Sequence, residues 1–286
     1  MSIDSTWLRC PNCFADLHDV DDRVFGCDHG HRFDRSKFGY LTLLPPRAPG
    51  TSGDDRSMLA ARAELLEGGT FAPIADAIVT AASTAAAMTP PEAAAQRLRV
   101  ADLGCGTGYY SARLADEIPD VDVLLADRSP DAVRMALRAV PDATGVVLDI
   151  WRPLPLRDAV ADVILDVFAP RNPDEFARVL RPAGRLVVVV PAANHLHQLR
   201  SRGMLLDIPP EKDAAVTDRL GGAGFMRSAA TRVEYAVDAD GALQRLLTGM
   251  GPSAHHADAL SAASDGSGPQ EVTVSVDVLS FSLASR

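Results

Sequence analysis

The chain has 286 residues, of which 47% are hydrophobic and 23% are charged, and these values are ordinary for a globular protein. They exclude wholesale disorder, and no apolar run approaches the roughly 20 residues that a membrane-spanning helix needs. The formal net charge of −10 argues against loose binding to any polyanion, although a structured RNA can be recognised by its shape and a few arginines. The first residues do not resemble a signal peptide, so we expect a cytoplasmic protein without a membrane partner.

Three of the four cysteines lie near the N-terminus and predict a metal site. Cys10 and Cys13 form a C-x-x-C pair, and Cys27 supplies a third thiolate. His31 is favoured as the fourth ligand because its spacing from Cys27 leaves room for a turn, with His29 as the alternative. Three thiolates and one imidazole fill the tetrahedral shell of Zn²⁺, so the predicted site is structural. A module this small has little core of its own, which is a second reason to expect a metal.

Composition divides the chain into three predicted regions. Residues 1–45 form a small β-rich zinc-binding module, and residues 46–97 form a linker with helices, the first from about Ser57 to Glu67. Residues 98–286 alternate strand and helix, which predicts a parallel sheet with helices on both faces. The last two predicted strands, Phe225–Tyr235 and Val272–Phe281, have no obvious crossover helix, so they are expected to form an antiparallel pair at the edge.

The remaining predicted elements follow from hydrophobic periodicity. The strands are Val100–Leu103, Val123–Ala126, Gly145–Leu148, Val163–Val167 and Leu186–Val190. The helices are Tyr109–Glu117, Pro130–Val140, Pro173–Leu180 and Lys212–Gly221.

A glycine loop joins the first strand of the α/β region to its first helix. Glycines let the backbone approach a ligand closely, and a helix N-terminus offers free N–H groups. The G-x-G-x-G pattern follows an acid, which favours S-adenosylmethionine over a dinucleotide, the alternative being a nicotinamide-dependent enzyme. The predicted cofactor residues of this segment are Asp102, Gly104, Gly106, Thr107, Gly108 and Tyr109.

Two further acids follow predicted strands in register with this loop. Asp127 ends the second strand, where a carboxylate can accept hydrogen bonds from both ribose hydroxyls. Asp149 ends the third strand and is placed to meet the adenine amino group.

Taken in order, these pieces resemble the 23S rRNA guanine-N1 methyltransferases of the RlmA type over nearly the whole length. The resemblance rests on the zinc ligands, the cofactor loop and several short segments: Phe33–Asp34, Gly39–Leu41, Asp54–Leu66, Gly69–Pro73, Val167–Pro173, Arg178–Pro182 and Pro191–Leu196. It implies a Rossmann-like class I methyltransferase with a seven-stranded, mostly parallel sheet, preceded by a zinc-binding RNA-recognition module.

The resemblance also implies further contacts and a target. Phe71 and His195 correspond to positions that touch the cofactor, although many relatives have tyrosine at the first, so only packing carries over. The implied partner is a 23S rRNA hairpin near the macrolide-binding exit tunnel. Leu154–Asp158, Val167–Pro173 and Met250–Ser253 look closer to the guanine-748 type, which includes macrolide self-resistance enzymes, than to the guanine-745 type. The sequence leaves the oligomeric state open, with a homodimer as one possibility.

The chemistry of N1 methylation suggests a role for Asp166. Guanine N1 carries a proton at neutral pH and is buried in base pairs, so the base must be unpaired or flipped and a general base would help. Asp166 is the candidate base, with orientation of the Phe168–Pro173 loop as an equally weighted alternative. Phe168 is a candidate for stacking on the flipped base.

Two other functions stay open at this point. A small-molecule methyltransferase would leave the zinc module unexplained, and a non-catalytic binding protein would not need the intact loop with Asp102 and Asp127. In the rRNA hypothesis, arginines of the module contact phosphates, and loss of the module would abolish methylation while leaving the cofactor site largely formed. These arginines are Arg9, Arg23, Arg32 and Arg35.

Overall fold

The computed structural model describes residues 3–45, 53–87, 97–251 and 269–284. The predicted linker around 46–52, the helix break at Thr89–Pro91 and most of the predicted loop at Gly251–Gln270 lie outside these ranges.

The described part of the chain alternates strands and helices after a short N-terminal module. The strands are β1 (His18–Asp19), β2 (Val24–Gly26), β3 (Arg32–Asp34), β4 (Leu41–Thr42), β5 (Leu98–Leu103), β6 (Val121–Asp127), β7 (Thr144–Val147), β8 (Ala161–Val167), β9 (Leu180–Pro191), β10 (Phe225–Ala239) and β11 (Gln270–Leu283). The helices are α1 (Arg56–Glu67), α2 (Ala72–Ala87), α3 (Tyr109–Glu117), α4 (Pro130–Ala139), α5 (Pro173–Val179), α6 (His197–Arg200), α7 (Lys212–Gly221) and α8 (Gly241–Gly249).

The large sheet has the order β10-β11-β9-β8-β5-β6-β7-β4. Strands β4 to β9 are all parallel to one another, whereas β11 pairs antiparallel with both β9 and β10. The chain leaves the central strand β5 towards β6 and later returns to its other side at β8, so a crevice forms at their carboxyl ends, where open α/β sheets bind ligands.

Residues after position 97 supply the seven strands expected of a class I methyltransferase, and the N-terminal module adds an eighth. Leu41 and Thr42 of β4 pair in parallel with Val146 and Val147 of β7. A two-residue strand is too short to show any periodicity, so the sequence pattern could not predict this pairing.

Local capping explains where the helices begin. The Asp55 carboxylate accepts the Met58 N–H at 2.9 Å and starts α1 one residue before the predicted Ser57. Asp240 caps α8 in the same way by accepting the Leu243 N–H at 2.8 Å. Helix α8 is missing from the prediction because it is short and bounded by glycines, whereas the predicted antiparallel pair β10–β11 is present.

The N-terminal module shares one hydrophobic core with the large sheet. Buried Trp7 and Leu8 belong to the same cluster as Ile164 and Val188 of the central strands. Backbone bonds reinforce this contact, with the Arg9 N–H donating to the Pro155 carbonyl at 2.9 Å. The predicted boundary at residue 45 therefore does not separate two hydrophobic cores.

Among the described residues, no single helix is long and apolar enough to cross a membrane, although α1 and the Ala72–Thr84 part of α2, bent by 84°, meet the length and composition criteria as a pair.

Candidate functional site

The three cysteines and one histidine predicted from spacing come together in the N-terminal module. The His31 Nδ1 atom lies 3.5, 3.5 and 3.4 Å from the sulfurs of Cys10, Cys13 and Cys27, and the Cys13 and Cys27 sulfurs are 3.7 Å apart. A tetrahedral Zn²⁺ with bonds of about 2.3 Å to sulfur and about 2.0–2.1 Å to nitrogen has S···N edges of about 3.6 Å and S···S edges of about 3.8 Å. The four donors therefore fit a closed zinc shell.

The alternative ligand His29 lies outside this shell. It is exposed, and its Nδ1 atom approaches the sulfur of Cys13 alone, at 3.3 Å. Among the described residues, the cluster of donors that could hold a metal contains His31 and leaves His29 out. His29 is placed instead to hydrogen-bond a metal-bound thiolate.

A cavity of about 640 Å³ opens at the carboxyl ends of β5, β6 and β8. Most of the predicted cofactor residues line it, namely Phe71, Asp102, Gly104, Gly106, Thr107, Asp127 and Asp149. The other predicted residues do not, namely Gly108, Tyr109, Asp166 and His195.

The glycine loop is shaped by both close packing and backbone conformation. Gly104 and Gly108 have φ of +100° and +80°, in the left-handed region that favours glycine. A Cβ at Gly108 would lie 2.6 Å from the Cα of Ala136, so this glycine allows α3 to pack against α4. Gly108 thus serves the shape of the loop without lining the cavity.

Asp102 lines this cavity and has one unsatisfied carboxylate oxygen. Its Oδ2 accepts the Ser111 hydroxyl at 2.6 Å, whereas its buried Oδ1 has no hydrogen-bond partner among the described residues. Burial raises the pKa of Asp102 to about 7, the Ser111 hydrogen bond opposes this shift, and the nearby Asp127 adds to it. A buried carboxylate that lacks a donor fits the charged amino group of S-adenosylmethionine.

Asp127 ties the end of β6 to the glycine loop. Its Oδ2 accepts the Gly106 N–H at 3.0 Å and its Oδ1 accepts the Ser129 N–H at 2.8 Å. Burial raises the pKa of Asp127, and the two backbone hydrogen bonds oppose that shift. Each carboxylate oxygen has a second lone pair, so Asp127 can still accept bonds from a ribose.

Asp149 lines the cavity, and both of its carboxylate oxygens already have a partner. Its Oδ2 pairs with the guanidinium of Arg128, and its Oδ1 accepts the Trp151 N–H at 3.1 Å. Trp151 is 60% exposed and borders the same cavity. Neither Arg128 nor Trp151 was predicted, because no motif marks them.

Arg62 is a further lining residue that the loop pattern does not reveal. Its guanidinium pairs with Asp54 and donates to the Met250 carbonyl at 2.7 Å. It also lies near Gly106, where a Cβ would be 3.3 Å from its Nη1. Segments that are 188 residues apart in the sequence thus meet over the glycine loop. The sequence marked Arg62 only through the Asp54–Leu66 segment of the family resemblance.

Helix α3 presents Tyr110 to the cavity in place of the predicted Tyr109. The two rings pack edge to face at 5.3 Å. Neighbouring helix positions point about 100° apart, so a one-residue error changes the face.

His195 lies behind two aromatic side chains that do line the cavity. Its ring centroid is 6.2 Å from that of Phe71 and 6.4 Å from that of Phe168, and its Nδ1 accepts the Ser275 N–H at 3.2 Å. Burial lowers the pKa of His195 to about 4, with Arg200 and Lys212 contributing in the same direction. The imidazole is therefore neutral near pH 7, and this hydrogen bond leaves its proton on Nε2.

Asp166, the candidate base, is 0% exposed and lies beneath the cavity surface. The Arg171 Nε atom lies 3.1 Å from its Oδ1 in an ion pair. Burial raises the pKa of Asp166 well above its usual range, although Arg171 opposes the shift. This environment fits the alternative in which Asp166 orients the Phe168–Pro173 loop, and its role as a base stays a prediction.

Comparison with known proteins identifies the chemistry of these two sites. Residues 8–48 match the zinc-ribbon family model described as "RlmA, N-terminal", and residues 100–187 match the model of a methyltransferase domain. The chain is 39% identical over 273 residues to the 23S rRNA (guanine(748)-N(1))-methyltransferase of Streptomyces fradiae, covering 94% of each protein.

Two other relatives extend this similarity. A protein of Micromonospora griseorubida assigned to the 23S rRNA (guanine-N(1)-)-methyltransferases is 41% identical over 260 residues, or 88% of each chain. YxjB of Bacillus subtilis, with the same assignment, is 29% identical over 287 residues, covering 97% of this chain and 98% of its own.

The parallel sheet with an antiparallel β10–β11 edge is the class I fold, in which S-adenosylmethionine is the methyl donor. With the zinc ribbon in front of this fold and relatives matching along nine-tenths of their length, the chain belongs to the 23S rRNA (guanine-N1-)-methyltransferases.

Proposed function

We propose that this protein transfers a methyl group from S-adenosylmethionine to N1 of guanine 748 in a 23S rRNA hairpin. The observation that carries the choice of nucleotide is the similarity to the Streptomyces fradiae enzyme, whose name specifies guanine 748. The proposed rRNA substrate places the protein in the cytoplasm. In this proposal residues 1–45 recognise RNA, residues 46–97 link the module to the rest, and residues 98–286 carry out methyl transfer.

The residues that line the cavity suggest how the cofactor is held. We assign the unpaired Oδ1 of Asp102 to the cofactor amino group and the carboxylate of Asp127 to the ribose hydroxyls. Arg62 lines the cavity near Gly106, and we assign its guanidinium, which also pairs with Asp54, to the cofactor carboxylate. Asp149, held by Arg128, is assigned to the adenine amino group, and Phe71 contributes packing.

S-adenosylmethionine supplies a methyl group that its sulfonium already activates, so positioning provides much of the acceleration. Phe168 is 41% exposed at the cavity rim and has φ of +54°, a left-handed conformation that is costly for an aromatic residue. We assign it to stacking on the unpaired guanine. Asp166 holds Arg171 and thereby this loop, and it is a positioning residue in our proposal.

The alternative function, a small-molecule methyltransferase, does not explain why the chain contains a zinc ribbon. The ribbon packs into the core beside the sheet, and the relatives that match both regions are named as rRNA enzymes. A binding protein without catalysis is disfavoured because the glycine loop and its two acids are arranged around an open cavity.

Mass spectrometry of 23S rRNA fragments after reaction tests this function. We expect one N1-methylguanine at position 748 with the wild-type protein. Asp127→Asn should weaken S-adenosylmethionine binding roughly ten- to a hundredfold, since a charge-assisted hydrogen bond contributes about 1.5–3 kcal/mol. Asp122→Asn is the matched control, because Asp122 lies on the same strand and pairs with Arg97 at 3.2 Å away from the cavity. A methyl group on another base would contradict the proposal.

The proposed target also has a consequence for cells. A methyl group beside the macrolide-binding exit tunnel is expected to lower susceptibility to macrolides. Comparing inhibitory concentrations for strains with and without the gene would show whether this holds.

A further inference from the structure

A second cavity, of about 290 Å³, lies on the zinc module and shares no lining residue with the cofactor cavity. Three of its five lining residues are cationic, and the full set is Arg23, Arg35, Ser36, Lys37 and Gly39.

The backbone holds these residues in a defined arrangement. The Arg35 N–H donates to the Arg23 carbonyl at 2.7 Å, which keeps the two arginines side by side. A turn follows in which the Gly39 N–H donates to the Ser36 carbonyl at 2.9 Å, and the φ of +97° at Gly39 permits it. The cationic side chains therefore extend from an ordered hairpin and turn.

This grouping of cationic side chains occurs in a protein whose net charge is −10. Elsewhere acids neutralise many arginines, as in the pairs of Arg178 with Glu175 and Arg232 with Asp277. Within the described ranges, neither Arg23 nor Lys37 forms an ion pair with an acid. Asp21 lies nearby, and its Oδ1 accepts the backbone N–H groups of Arg23 and Val24 at 2.7 and 2.9 Å.

We infer that this cavity binds a backbone phosphate of the substrate RNA. This inference rests on the proposed function and adds a contact site to it. Neighbouring cations repel one another, and an anionic group placed among them reduces this repulsion. Arginine and lysine side chains beside a serine hydroxyl are the donors that commonly contact phosphate oxygens.

An aromatic side chain links the cavity to the methyltransferase fold. Phe38 is 37% exposed, and its ring lies 5.1 Å from the Lys37 ammonium and 4.8 Å from the Arg134 guanidinium. Arg134 is in the second turn of α4, which begins just after Asp127 and Ser129 of the cofactor site. The cavity is thereby fixed relative to the reaction centre and can set the position of an RNA that spans both.

One of the four arginines expected to contact phosphates, Arg9, is already bonded to an acid. The Arg9 guanidinium donates to both oxygens of Asp158, at 2.7 and 3.2 Å, and so fastens the module to the methyltransferase domain. The Arg32 guanidinium donates to the neighbouring His31 carbonyl at 3.2 Å. Of the four arginines, Arg23 and Arg35 are the ones that line the cavity.

The test measures binding of a labelled 23S rRNA hairpin containing guanine 748 by fluorescence anisotropy, across about 50 to 200 mM salt. We expect the double variant Arg23→Ala/Lys37→Ala to bind about tenfold more weakly at the low-salt end. Its slope of log affinity against log salt should be shallower by about 1, since one phosphate contact is lost and each lost contact removes about one unit. Zinc content and S-adenosylmethionine affinity should equal those of the wild type.

The matched control is Arg227→Ala/Arg245→Ala, which changes the net charge equally at two positions outside the cavity. A double variant at Arg23 and Lys37 that behaves like this control overturns the phosphate site, as does a wild-type protein that does not bind the hairpin. Wild-type binding that depends on the cavity without any methylation of guanine supports the phosphate site and contradicts the proposed function instead.

Discussion

At the scale of single residues, the carboxylates assigned to the cofactor differ in how many of their oxygen atoms already have a hydrogen-bond or ion-pair partner. Asp127 accepts two backbone N–H groups, and Asp149 is paired with Arg128. Asp102 has one oxygen that accepts no hydrogen bond from the described part of the chain. Burial favours its protonated form, so this side chain is the one most sensitive to the arrival of a cationic group.

We therefore predict that S-adenosylmethionine binds more tightly as the pH rises from about 5.5 to 7, by at most about tenfold per unit, and that the increase levels off above pH 7. The reason is that the cofactor-free protein holds a proton on Asp102, whose pKa is about 7, and the cofactor amino group favours the carboxylate. Binding should release up to one proton, which calorimetry in two buffers of different ionisation enthalpy measures. Asp102→Asn should bind weakly with a flat profile; an equally steep profile would assign the proton to another group.

The raised pKa of Asp102 also affects the stability of the cofactor-free protein, which it favours at low pH and not at high pH. The pKa of Asp102 is raised on folding, so the folded state holds a proton that the unfolded chain has released between about pH 4 and 7. Its contribution to stability is present below the unfolded pKa and is lost as the pH rises through about 7. Near pH 7, binding of the cofactor amino group to the Asp102 carboxylate offsets this loss of stability.

At the scale of elements, the zinc site depends on two tight turns that flank a hairpin. Cys10 and Cys13 lie on one turn, and Cys27 and His31 lie on the other, between β2 and β3. Phe14 and Gly30 have φ of +59° and +83°, which lets each turn close within a few residues.

We predict that His31→Ala loses its zinc and that His29→Ala keeps one zinc per chain. His31 contacts all three sulfurs, whereas His29 reaches the sulfur of Cys13 alone. Elemental analysis of freshly purified, reduced protein gives the stoichiometry. If His29→Ala lost the metal and His31→Ala retained it, the ligand assignment would be wrong.

The elements that the sequence could predict are those whose signal is local. The zinc spacing, the glycine loop and Asp127 lie within short segments, and the long strands show continuous apolar runs. Arg62 could not be found in this way because its contact with Met250 joins positions 188 residues apart. The sequence could not choose between the two roles of Asp166, as a general base or as a group that orients a loop, because its burial and its ion pair with Arg171 appear only in the folded structure.

At the scale of the whole molecule, the zinc module and the sheet depend on one another. Trp7 is buried beneath the Arg99 guanidinium, which lies 4.0 Å from its ring, and Arg157 donates to the Leu8 and Leu17 carbonyls. The shared core changes the expectation for a truncated chain that begins near Pro46. Such a chain would expose apolar surface of the sheet, so its cofactor site is not expected to form normally.

We predict that the protein unfolds in a single thermal transition and that a zinc chelator lowers the midpoint of that whole transition. A loss of about 3 kcal/mol would shift the Tm by roughly 6 °C or more, at about 2–4 °C per kcal/mol for a chain of this size. Differential scanning calorimetry measures the shift, with zinc-saturated chelator as the control. A separate low-temperature transition that alone responds to chelation would show that the module folds independently.

The pairing of β4 with β7 affects what we expect of the protein when it loses zinc. Without β4, the outward-facing backbone N–H and C=O groups of Val146 and Val147 would lie at an open sheet edge, and both residues are buried in the intact protein. An uncovered apolar edge is a template for pairing with another chain. Metal loss is therefore expected to cause aggregation as well as loss of RNA recognition, so zinc also protects the enzyme from self-association.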